Sequence, residues 1–213
     1  MLSVLVGCES SGTIREAFRA MGHDAVSCDL LPADDGSPYH FQGDVFEAIR
    51  RGSRRTGRWD LIILHPPCTA LAVSGNAHYG TGKPKAHLRE EAIDWTVTLW
   101  NFATAFCNYV ALENPVGVLS NHLGRPSYVQ PFEHGHSETK KTGLWLHNLP
   151  KLVPTKIMEK PECGYWDNCT PSGQNKLGPS DDRWKIRSKT YQGIADAIAD
   201  QWSRHIEGEK NGA

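Results

Sequence analysis

The sequence lacks any apolar run that approaches the roughly 20 residues needed to cross a bilayer. Its opening stretch, MLSVLVGCES, also lacks the basic start and the length of a secretion signal. From these two absences we expect a soluble, cytoplasmic protein with no membrane partner.

The sequence has little net charge, a formal −1 at pH 7. This balance argues against a protein that coats nucleic acid by bulk attraction, but it permits a local basic groove. The clearest basic cluster is RRGSRRTGR at 50–58. The cluster fits either a solvated helix end and loop before a strand or a patch that contacts phosphates.

Paired cysteines are scarce as well. The six cysteines are scattered along 213 residues, a chain long enough to form a core without disulfides, so we expect reduced thiols. Cys163 and Cys169 are the one close pair, but their spacing is wider than that of a zinc knuckle and no second pair follows. His134, His136 and His147 have no matching partners in the sequence and are typical of surface or hydrogen-bonded histidines. We therefore predict no metal site.

What the sequence does contain is an alternation of strand and helix patterns. Four apolar runs predict strands: SVLVG (3–7), DAVSCDL (24–30), RWDLIIL (58–64) and YVALENPVG (109–117). Between them, apolar residues at helical spacing predict helices at 13–23, 43–51 and 88–108. This alternation predicts an α/β fold, with a mainly parallel twisted sheet and helices on both faces.

The pattern changes after Gly117. Short antiparallel strands are predicted at 127–135 and 142–155, a long irregular loop at 158–185, and a helix at 188–206 that docks through Ile194, Ile198 and Trp202. We divide the chain into an α/β domain at 1–149, a small irregular segment at 150–185, a C-terminal helix at 186–207 that packs back on the domain, and a tail at 208–213.

Polar or reactive residues stand at the ends of the predicted strands. These residues are Glu9, Asp29, Cys68 and Glu113. In an open α/β sheet, ligands bind in the crevice at the carboxyl ends of the strands. We therefore expect the four side chains to converge, although they are far apart in sequence.

The stretch VLVGCESSG before a helix predicts a strand-to-helix turn that brings backbone N–H groups against a ligand. It lacks the full glycine fingerprint of dinucleotide enzymes, because Ser10 and Ser11 stand where a glycine would allow close approach. Either serine is also expected to cap the following helix.

Two acids follow that turn. Asp29 lies roughly 20 residues beyond it, the offset at which a carboxylate meets a ribose diol in nucleotide-binding α/β units. Asp44 follows the next segment and is placed to accept a hydrogen bond from an adenine amino group. Either acid is alternatively a helix cap. Together they favour an adenosyl ligand, and the missing pyrophosphate glycines favour one without phosphates.

Cys68 lies in LHPPCTALA (64–72), directly after a buried strand. A lone cysteine is most often a packed core thiol. Here, however, HPPC is followed by LENP after the next strand, and in that order the chain resembles the cytosine-C5 DNA methyltransferases that use S-adenosylmethionine. In that family a Pro-Cys after the fourth strand holds the nucleophile, and a Glu-Asn after the next strand holds the acid. The resemblance covers nearly the whole chain and is closest to the short, phage-type members.

The resemblance implies a Rossmann-like methyltransferase fold with a minimal target-recognition segment at 150–185, double-stranded DNA with a flipped base as partner, and no obligate protein partner. It implies catalytic roles for Cys68, Glu113, Asn114 and Pro67. It implies contacts with S-adenosylmethionine from Gly7, Cys8, Glu9, Ser10, Ser11, Gly12, Asp29, Leu30, Asp44, Val45, Pro66 and Ser188, and contacts with the substrate from Lys140, Lys141 and Thr142. A closing motif, RSKTYQGIADAIADQW, is expected to return to the cofactor site.

The expected chemistry requires particular protonation states. Cys68 must become a thiolate, for which we expect nearby cationic groups or a helix N-terminus to lower its pKa. Glu113 should hydrogen-bond or protonate N3 of the base, for which a carboxyl kept partly protonated by burial is suitable. Asn114 is expected to orient Glu113, while Pro66 and Pro67 stiffen the turn. Tyr165 and Trp166 are candidates for filling the gap left by the flipped base or for reading its neighbours.

Several positions depart from the family pattern. CESSG replaces Phe-x-Gly-x-Gly, Thr69 and Pro115 stand where glutamine and valine are usual, and ETKKT is a loose match to the basic Gln-x-Arg-x-Arg motif. Three alternatives therefore stay open: a methyltransferase of exocyclic amino groups, which also has a Pro-Pro after the fourth strand; an enzyme that methylates RNA or free nucleotides; and a non-catalytic relative that masks DNA sites.

Overall fold

The computed structural model describes residues 1–180 and 183–212. The strands are β1 (Ser3–Gly7), β2 (Asp24–Asp29), β3 (His40–Gln42), β4 (Leu61–Leu64), β5 (Val110–Pro115), β6 (Ser127–Val129) and β7 (Thr142–His147). The helices are α1 (Thr13–Ala20), α2 (Val45–Arg51), α3 (Asn76–Tyr79), α4 (Ala86–Phe106), α5 (Arg183–Ser188) and α6 (Gln192–Gly212). Within the described ranges, no helix combines the length and the apolar character needed to cross a membrane.

All seven strands form one sheet in the order β3-β2-β1-β4-β5-β7-β6. The neighbours from β3 to β5 run parallel, whereas β7 is antiparallel to both β5 and β6. The α/β architecture predicted from the alternation of strands and helices is therefore confirmed, and it is the Rossmann-like arrangement that the resemblance implied. The change of pattern after Gly117 corresponds to the antiparallel edge.

The core has two layers, one on each face of the sheet. Because side chains alternate along a strand, Val4 and Val6 contribute to one layer and Leu5 to the other. The first layer is closed by residues of α1 and α6, the second by residues of α2 and α4. All four residues of β4 are buried, as expected for a central parallel strand.

Helix α6 docks on the domain through the predicted apolar stripe. Ile194, Ile198 and Trp202 are all buried, and α6 packs against α1. The indole N–H of Trp202 donates a hydrogen bond to the carbonyl of Pro150 at 3.0 Å. One side chain thus joins the C-terminal helix, the core and the start of the 150–185 segment.

Several parts of the structure differ from the sequence-based expectations. Of the strands predicted at 127–135 and 142–155, both within the described residues, only Ser127–Val129 and Thr142–His147 form, and helix α3 was not predicted. Strand β3 was not predicted, and because of it the strand before Cys68 is the fourth of the chain. The short helix α5 begins inside the stretch 158–185 that was expected to be irregular. Helix α6 continues to Gly212, so residues 208–212 of the predicted tail are helical. Ala213, the last residue of that tail, lies outside the described residues.

Candidate active site

The parallel strands bring the predicted residues to one edge of the sheet. Leu64 of β4 pairs with Leu112 of β5. His65, which directly follows β4, therefore lies beside Glu113 of β5. The Nδ1 atom of His65 is 3.3 Å from Oε2 of Glu113, a long hydrogen bond. The backbone N–H of His65 also bonds to the carbonyl of Gly7 at 2.9 Å, which ties this edge to β1.

Cys68 is presented on a turn that is held from both sides. The Asn114 side chain donates to the carbonyl of Pro66 at 2.9 Å. The carbonyl of Cys68 accepts backbone hydrogen bonds from Leu71 at 3.0 Å and Ala72 at 2.9 Å. The half-buried Cys68 is thereby fixed directly after β4. Asn114 acts on the cysteine turn, and in the structure its hydrogen bond does not go to Glu113 as expected.

Arg89 of α4 stabilises the same turn through hydrogen bonds. Arg89 donates to the carbonyl of Ala70 at 2.6 Å and to the side chain of Asn76 at 2.8 Å. Sequence reasoning missed Arg89, because nothing in the pattern of a long helix indicates which of its basic residues turns inward.

The charges around Cys68 act in opposite directions. Burial, and after it the carboxylate of Glu113, raises the pKa of the Cys68 thiol, while Lys140 and Arg187 lower it. The net pKa lies above the ordinary value for cysteine. The expectation of a lowered pKa is therefore wrong for the free protein: the cationic groups are present, but they do not overcome burial and the neighbouring carboxylate.

The ionisation of Glu113 also differs from the expectation. Burial raises the pKa of this carboxyl, but the hydrogen bond with His65 and the positive charge of Lys140 outweigh burial, and the net pKa is lowered. In the free protein Glu113 is thus a carboxylate, not the partly protonated carboxyl that was expected. Cys68 and Glu113 hold one proton between them, on the sulfur.

This charge balance predicts how fast Cys68 reacts with iodoacetamide. Iodoacetamide alkylates only the thiolate. The alkylation rate of Cys68 should therefore keep rising with pH above the range in which an ordinary cysteine ionises. Glu113→Gln removes the charge that disfavours the thiolate and should speed alkylation at pH 8, whereas Lys140→Met should slow it. Mass spectrometry of the Cys68 peptide measures the rate, with the exposed Cys163 as the internal reference. Equal rates in both variants would contradict the charge assignment.

The turn after β1 contains a buried acid. One carboxylate oxygen of Glu9, Oε1, accepts from the Ser11 hydroxyl and from the backbone N–H of Thr13, the latter at 3.2 Å. The other oxygen, Oε2, is buried and has no hydrogen-bond partner among the described residues. Gly12, in the left-handed conformation at φ 74°, occupies the N-cap of α1 without a side-chain bond, so neither serine is the N-cap residue that was predicted. The Ser11 hydroxyl nevertheless accepts the N–H of Thr13, the first residue of the helix, at 3.3 Å.

The two predicted ribose and adenine acids differ in their local roles. Asp29 ends β2, and its Oδ1 accepts the N–H of Leu31 at 2.9 Å beside Leu30, whose side chain is 74% exposed. Asp44 caps α2 by accepting the N–H groups of the second and third residues after it, at 2.9 and 3.1 Å. The alternative that Asp44 is a helix cap is therefore confirmed. Val45 is buried beside Gly7. A Cβ atom at position 7 would lie 2.7 Å from Cγ2 of Val45, so both residues line the turn after β1.

The predicted substrate residues do not all face the cysteine. Lys140 acts electrostatically on both Cys68 and Glu113, and its Nζ donates to the carbonyl of Lys189 at 3.3 Å. Lys141 lies over the ring of Tyr128, with Nζ 4.2 Å from the centroid. Thr142 is buried at the start of β7. Of the three, Lys140 is the one that the structure places within electrostatic reach of Cys68.

Helix α5 adds basic residues next to the site. Arg187 acts on Cys68, and Lys185 pairs with Asp34, in the loop after β2, at 2.8 Å. Ser188, a predicted cofactor residue, is exposed and donates to the carbonyl of Lys185 at 2.9 Å. The sequence at 183–189 contains several basic residues. Their arrangement on a helix was not predicted, because a long irregular loop was expected there.

A buried arginine supports the loop after β2. Arg15 of α1 is fully buried, donates to Ser27 at 2.7 Å and pairs with Asp35. Ser27 in turn bonds to Nδ1 of His40 at 2.8 Å. Sequence reasoning missed Arg15, because an arginine one position from an apolar helix face usually reaches solvent.

The remaining polar and aromatic candidates have local partners. His134 bonds to Thr155 at 3.1 Å, and His136 accepts the N–H of Gly193 at 3.0 Å. In the part of the chain that the structure describes, no three histidine, cysteine or acidic side chains are grouped to hold a metal ion. Trp166 stacks on Phe132 with ring centroids 4.7 Å apart.

The arginine cluster at 50–58 precedes β4 and therefore lies at the opposite end of that strand from Cys68. Arg50 and Arg51 lie over the rings of Phe102 and Phe41 at 5.1 and 5.5 Å. These aromatic contacts favour the reading of the cluster as a helix end and loop on the surface.

Neither a protein-family model nor a curated protein sequence matches the chain. Among the solved structures to which it is similar is a methyltransferase of Entamoeba histolytica, with 11% identity, a TM-score of 0.48, and coverage of 74% of this chain and 58% of the other. A second is the Dnmt2 methyltransferase of S. pombe, with 15% identity, a TM-score of 0.41, and coverage of 75% and 51%. A third is a SAM-dependent methyltransferase of Neisseria gonorrhoeae, with 15% identity, a TM-score of 0.38, and coverage of 73% and 63%. The chain thus spans between 51% and 63% of the length of these proteins.

Proposed function

We propose that the chain is a DNA (cytosine-5)-methyltransferase that uses S-adenosylmethionine and attacks the target base through Cys68. The observation that supports this most directly is the juxtaposition of a fixed cysteine after β4 with an ionisable Glu113 on β5, both within reach of the Lys140 charge. A nucleophile, a proton-exchanging acid and a cation at one sheet edge are the groups that addition to a pyrimidine ring requires.

The turn after β1 fits the proposed cofactor. The buried, unpartnered Oε2 of Glu9 is suited to accept hydrogen bonds from an ammonium group, and an unpartnered buried acceptor is costly unless a ligand satisfies it. Asp29, at the end of the adjacent strand, is suited to a ribose diol. S-adenosylmethionine bound there would supply an electrophilic methyl group on a sulfonium.

The proposed chemistry begins with the ring, because C5 of cytosine is a weak nucleophile. The Cys68 thiolate forms a bond to C6, and the electron pair displaced from the ring is accommodated by proton uptake at N3, which Glu113 serves. C5 then behaves as an enamine carbon and would accept the methyl group as its bond to the sulfonium sulfur breaks. Loss of the C5 proton to solvent and expulsion of the thiolate restore the double bond, and the proton held at N3 returns to Glu113.

Access to the ring requires the base to leave the duplex, at a cost of a few kcal/mol. Lys140 and Arg187 flank Cys68 with positive charge, which suits the phosphates beside an extruded nucleotide. The small recognition surface at 150–185 favours a short target site.

The experiment that tests the function uses labelled S-adenosylmethionine with separate pools of DNA, RNA and free nucleotides. We expect label in DNA, at C5 of cytosine. Label at N4 of cytosine or N6 of adenine would instead support an amino-methyltransferase, and label confined to RNA or nucleotides would change the substrate. DNA binding without any transfer would support a relative that masks sites.

The proposed cofactor site makes a separate prediction about binding. Glu9→Gln keeps the size of the side chain but removes its charge, so the Kd for S-adenosylmethionine should rise about tenfold or more, the loss expected for a hydrogen bond to a charged group. Isothermal titration calorimetry measures the change, with Glu90→Gln on the exposed face of α4 as the matched control. An unchanged Kd in the Glu9 variant would remove Glu9 from the cofactor site.

A further inference from the structure

The structure pairs Glu113 with a histidine whose role the proposed reaction does not yet assign. His65 directly follows β4, and its Nδ1 atom lies 3.3 Å from Oε2 of Glu113. The other ring nitrogen, Nε2, is buried and has no hydrogen-bond partner among the described residues. Because the Glu113 carboxylate can only accept, Nδ1 of His65 carries the proton of this hydrogen bond and donates it to Oε2.

The contact with His65 makes the two oxygens of Glu113 unequal. Oε2 is engaged by His65, whereas Oε1 makes no hydrogen bond in the described ranges, and the side chain is 20% exposed. Glu113 is thus held through one oxygen, and the other keeps its capacity to accept a hydrogen bond. The rigid β4–β5 pairing sets this arrangement, because Leu64 and Leu112 are register partners.

The resting protonation states of Cys68 and Glu113 are the opposite of those that addition to the base requires. The directions of the pKa shifts leave Cys68 as a thiol and Glu113 as a carboxylate. Addition to the base needs the reverse: a thiolate at C6 and a proton for N3. The groups that act on this exchange are His65 and Lys140 at Glu113, and Glu113, Lys140 and Arg187 at Cys68.

We propose that His65 is a positioning residue that holds one carboxylate oxygen of Glu113, so that the other oxygen carries the proton of Cys68 to N3 of the base. This role rests on the proposed function. The S–H bond breaks and the proton moves to Oε1, the sulfur lone pair forms the bond to C6, and the pair displaced through the ring takes the same proton at N3. No external acid or base takes part in the addition.

The proton shared by Cys68 and Glu113 determines how kcat/KM depends on pH. The reactive form contains one proton shared by Cys68 and Glu113, so kcat/KM should be flat around neutral pH. His65→Phe removes the hydrogen bond that lowers the pKa of Glu113, and burial then raises it. The Lys140 charge still opposes this rise in pKa, but a larger share of Glu113 is protonated at a given pH, so kcat/KM should begin to fall toward acid pH earlier than in the wild type.

The decisive experiment compares methylation profiles of the full chain and its variants. His65→Phe should lose roughly 10- to 100-fold in kcat/KM because Glu113 is no longer held in place, and its kcat/KM should begin to fall toward acid pH at a higher pH than that of the wild type. His65→Asn places an amide N–H near the position of Nδ1 and should restore the flat profile. His87→Asn, at an exposed position of α4, is the matched control and should leave the profile unchanged. Circular dichroism establishes that each variant is folded.

A second readout does not depend on methylation. Because His65→Phe raises the protonated share of Glu113, the carboxylate disfavours the thiolate less, and Cys68 of this variant should react with iodoacetamide faster than Cys68 of the wild type at pH 7. A wild-type protein that labels no cytosine C5 would remove the proposed function and this role with it. Label at C5 together with parallel pH profiles for the wild type and His65→Phe would overturn the role of His65 alone, as would a profile for His65→Asn that falls toward acid pH like that of His65→Phe.

Discussion

Replacing Cys68 by alanine should abolish methyl transfer, with a fall in kcat/KM of about 10⁴-fold or more, as is typical when a covalent nucleophile is removed. The loss follows from the chemistry, because without a bond to C6 the C5 carbon does not become nucleophilic. Binding of S-adenosylmethionine should be nearly unchanged, since the cofactor is proposed to lie at the turn after β1. Transfer of labelled methyl groups and calorimetric titration of the cofactor measure the two quantities.

Two other cysteine variants make this result specific. Cys163→Ala changes an exposed thiol in the irregular segment and should retain full activity. Cys68→Ser keeps the shape of the side chain but offers a far weaker nucleophile, so it should be nearly as inactive as Cys68→Ala. A Cys68→Ala protein that still methylates DNA would mean that the transfer proceeds without a covalent adduct.

Replacing Trp202 by alanine should lower the free energy of unfolding by about 4 kcal/mol, the range for removal of a buried aromatic side chain. Trp202 of α6 is fully buried in the core layer that α1 and α6 form against the sheet, and its indole N–H bonds to the carbonyl of Pro150. The substitution would therefore create a cavity and leave the Pro150 carbonyl without its partner. Urea unfolding followed by far-UV circular dichroism measures the loss.

The matched control is Trp95→Ala on α4. This tryptophan is 37% exposed and makes one edge contact with Phe46, so its removal should cost about 1 kcal/mol. Equal losses for the two variants would contradict the assignment of Trp202 as the residue that anchors the C-terminal helix.

The parallel part of the fold was predictable because its strands are short apolar runs that must be buried on both faces. The approach of Cys68 to Glu113 followed from the same reasoning, since the carboxyl ends of parallel strands meet at one edge. Strand β3 was not predictable, because His40, Phe41 and Gln42 show no apolar alternation; the strand forms by pairing with β2.

The finer features of the site depend on register and burial, which the sequence pattern does not contain. His65 and Glu113 are 48 positions apart, and only the pairing of β4 with β5 places them side by side. The pKa directions of Cys68 and Glu113 were misjudged for the same reason: each depends on which charges are buried with the group. The cap of α1 was misassigned because the chain turns at Gly12 in a left-handed conformation, so that Glu9 joins Ser11 in accepting the N–H of Thr13 at the start of the helix.

The measurement that tests the central claim most directly is covalent trapping by DNA that contains 5-fluorocytosine. The fluorine at C5 cannot leave as a proton does, so after methyl transfer the enzyme cannot expel its thiolate. With S-adenosylmethionine present, a stable protein–DNA adduct should form, and mass spectrometry should place the modified base on the peptide that contains Cys68. An enzyme that methylates ordinary DNA but forms no adduct, or forms one at another residue, would contradict the assignment of Cys68 as the nucleophile.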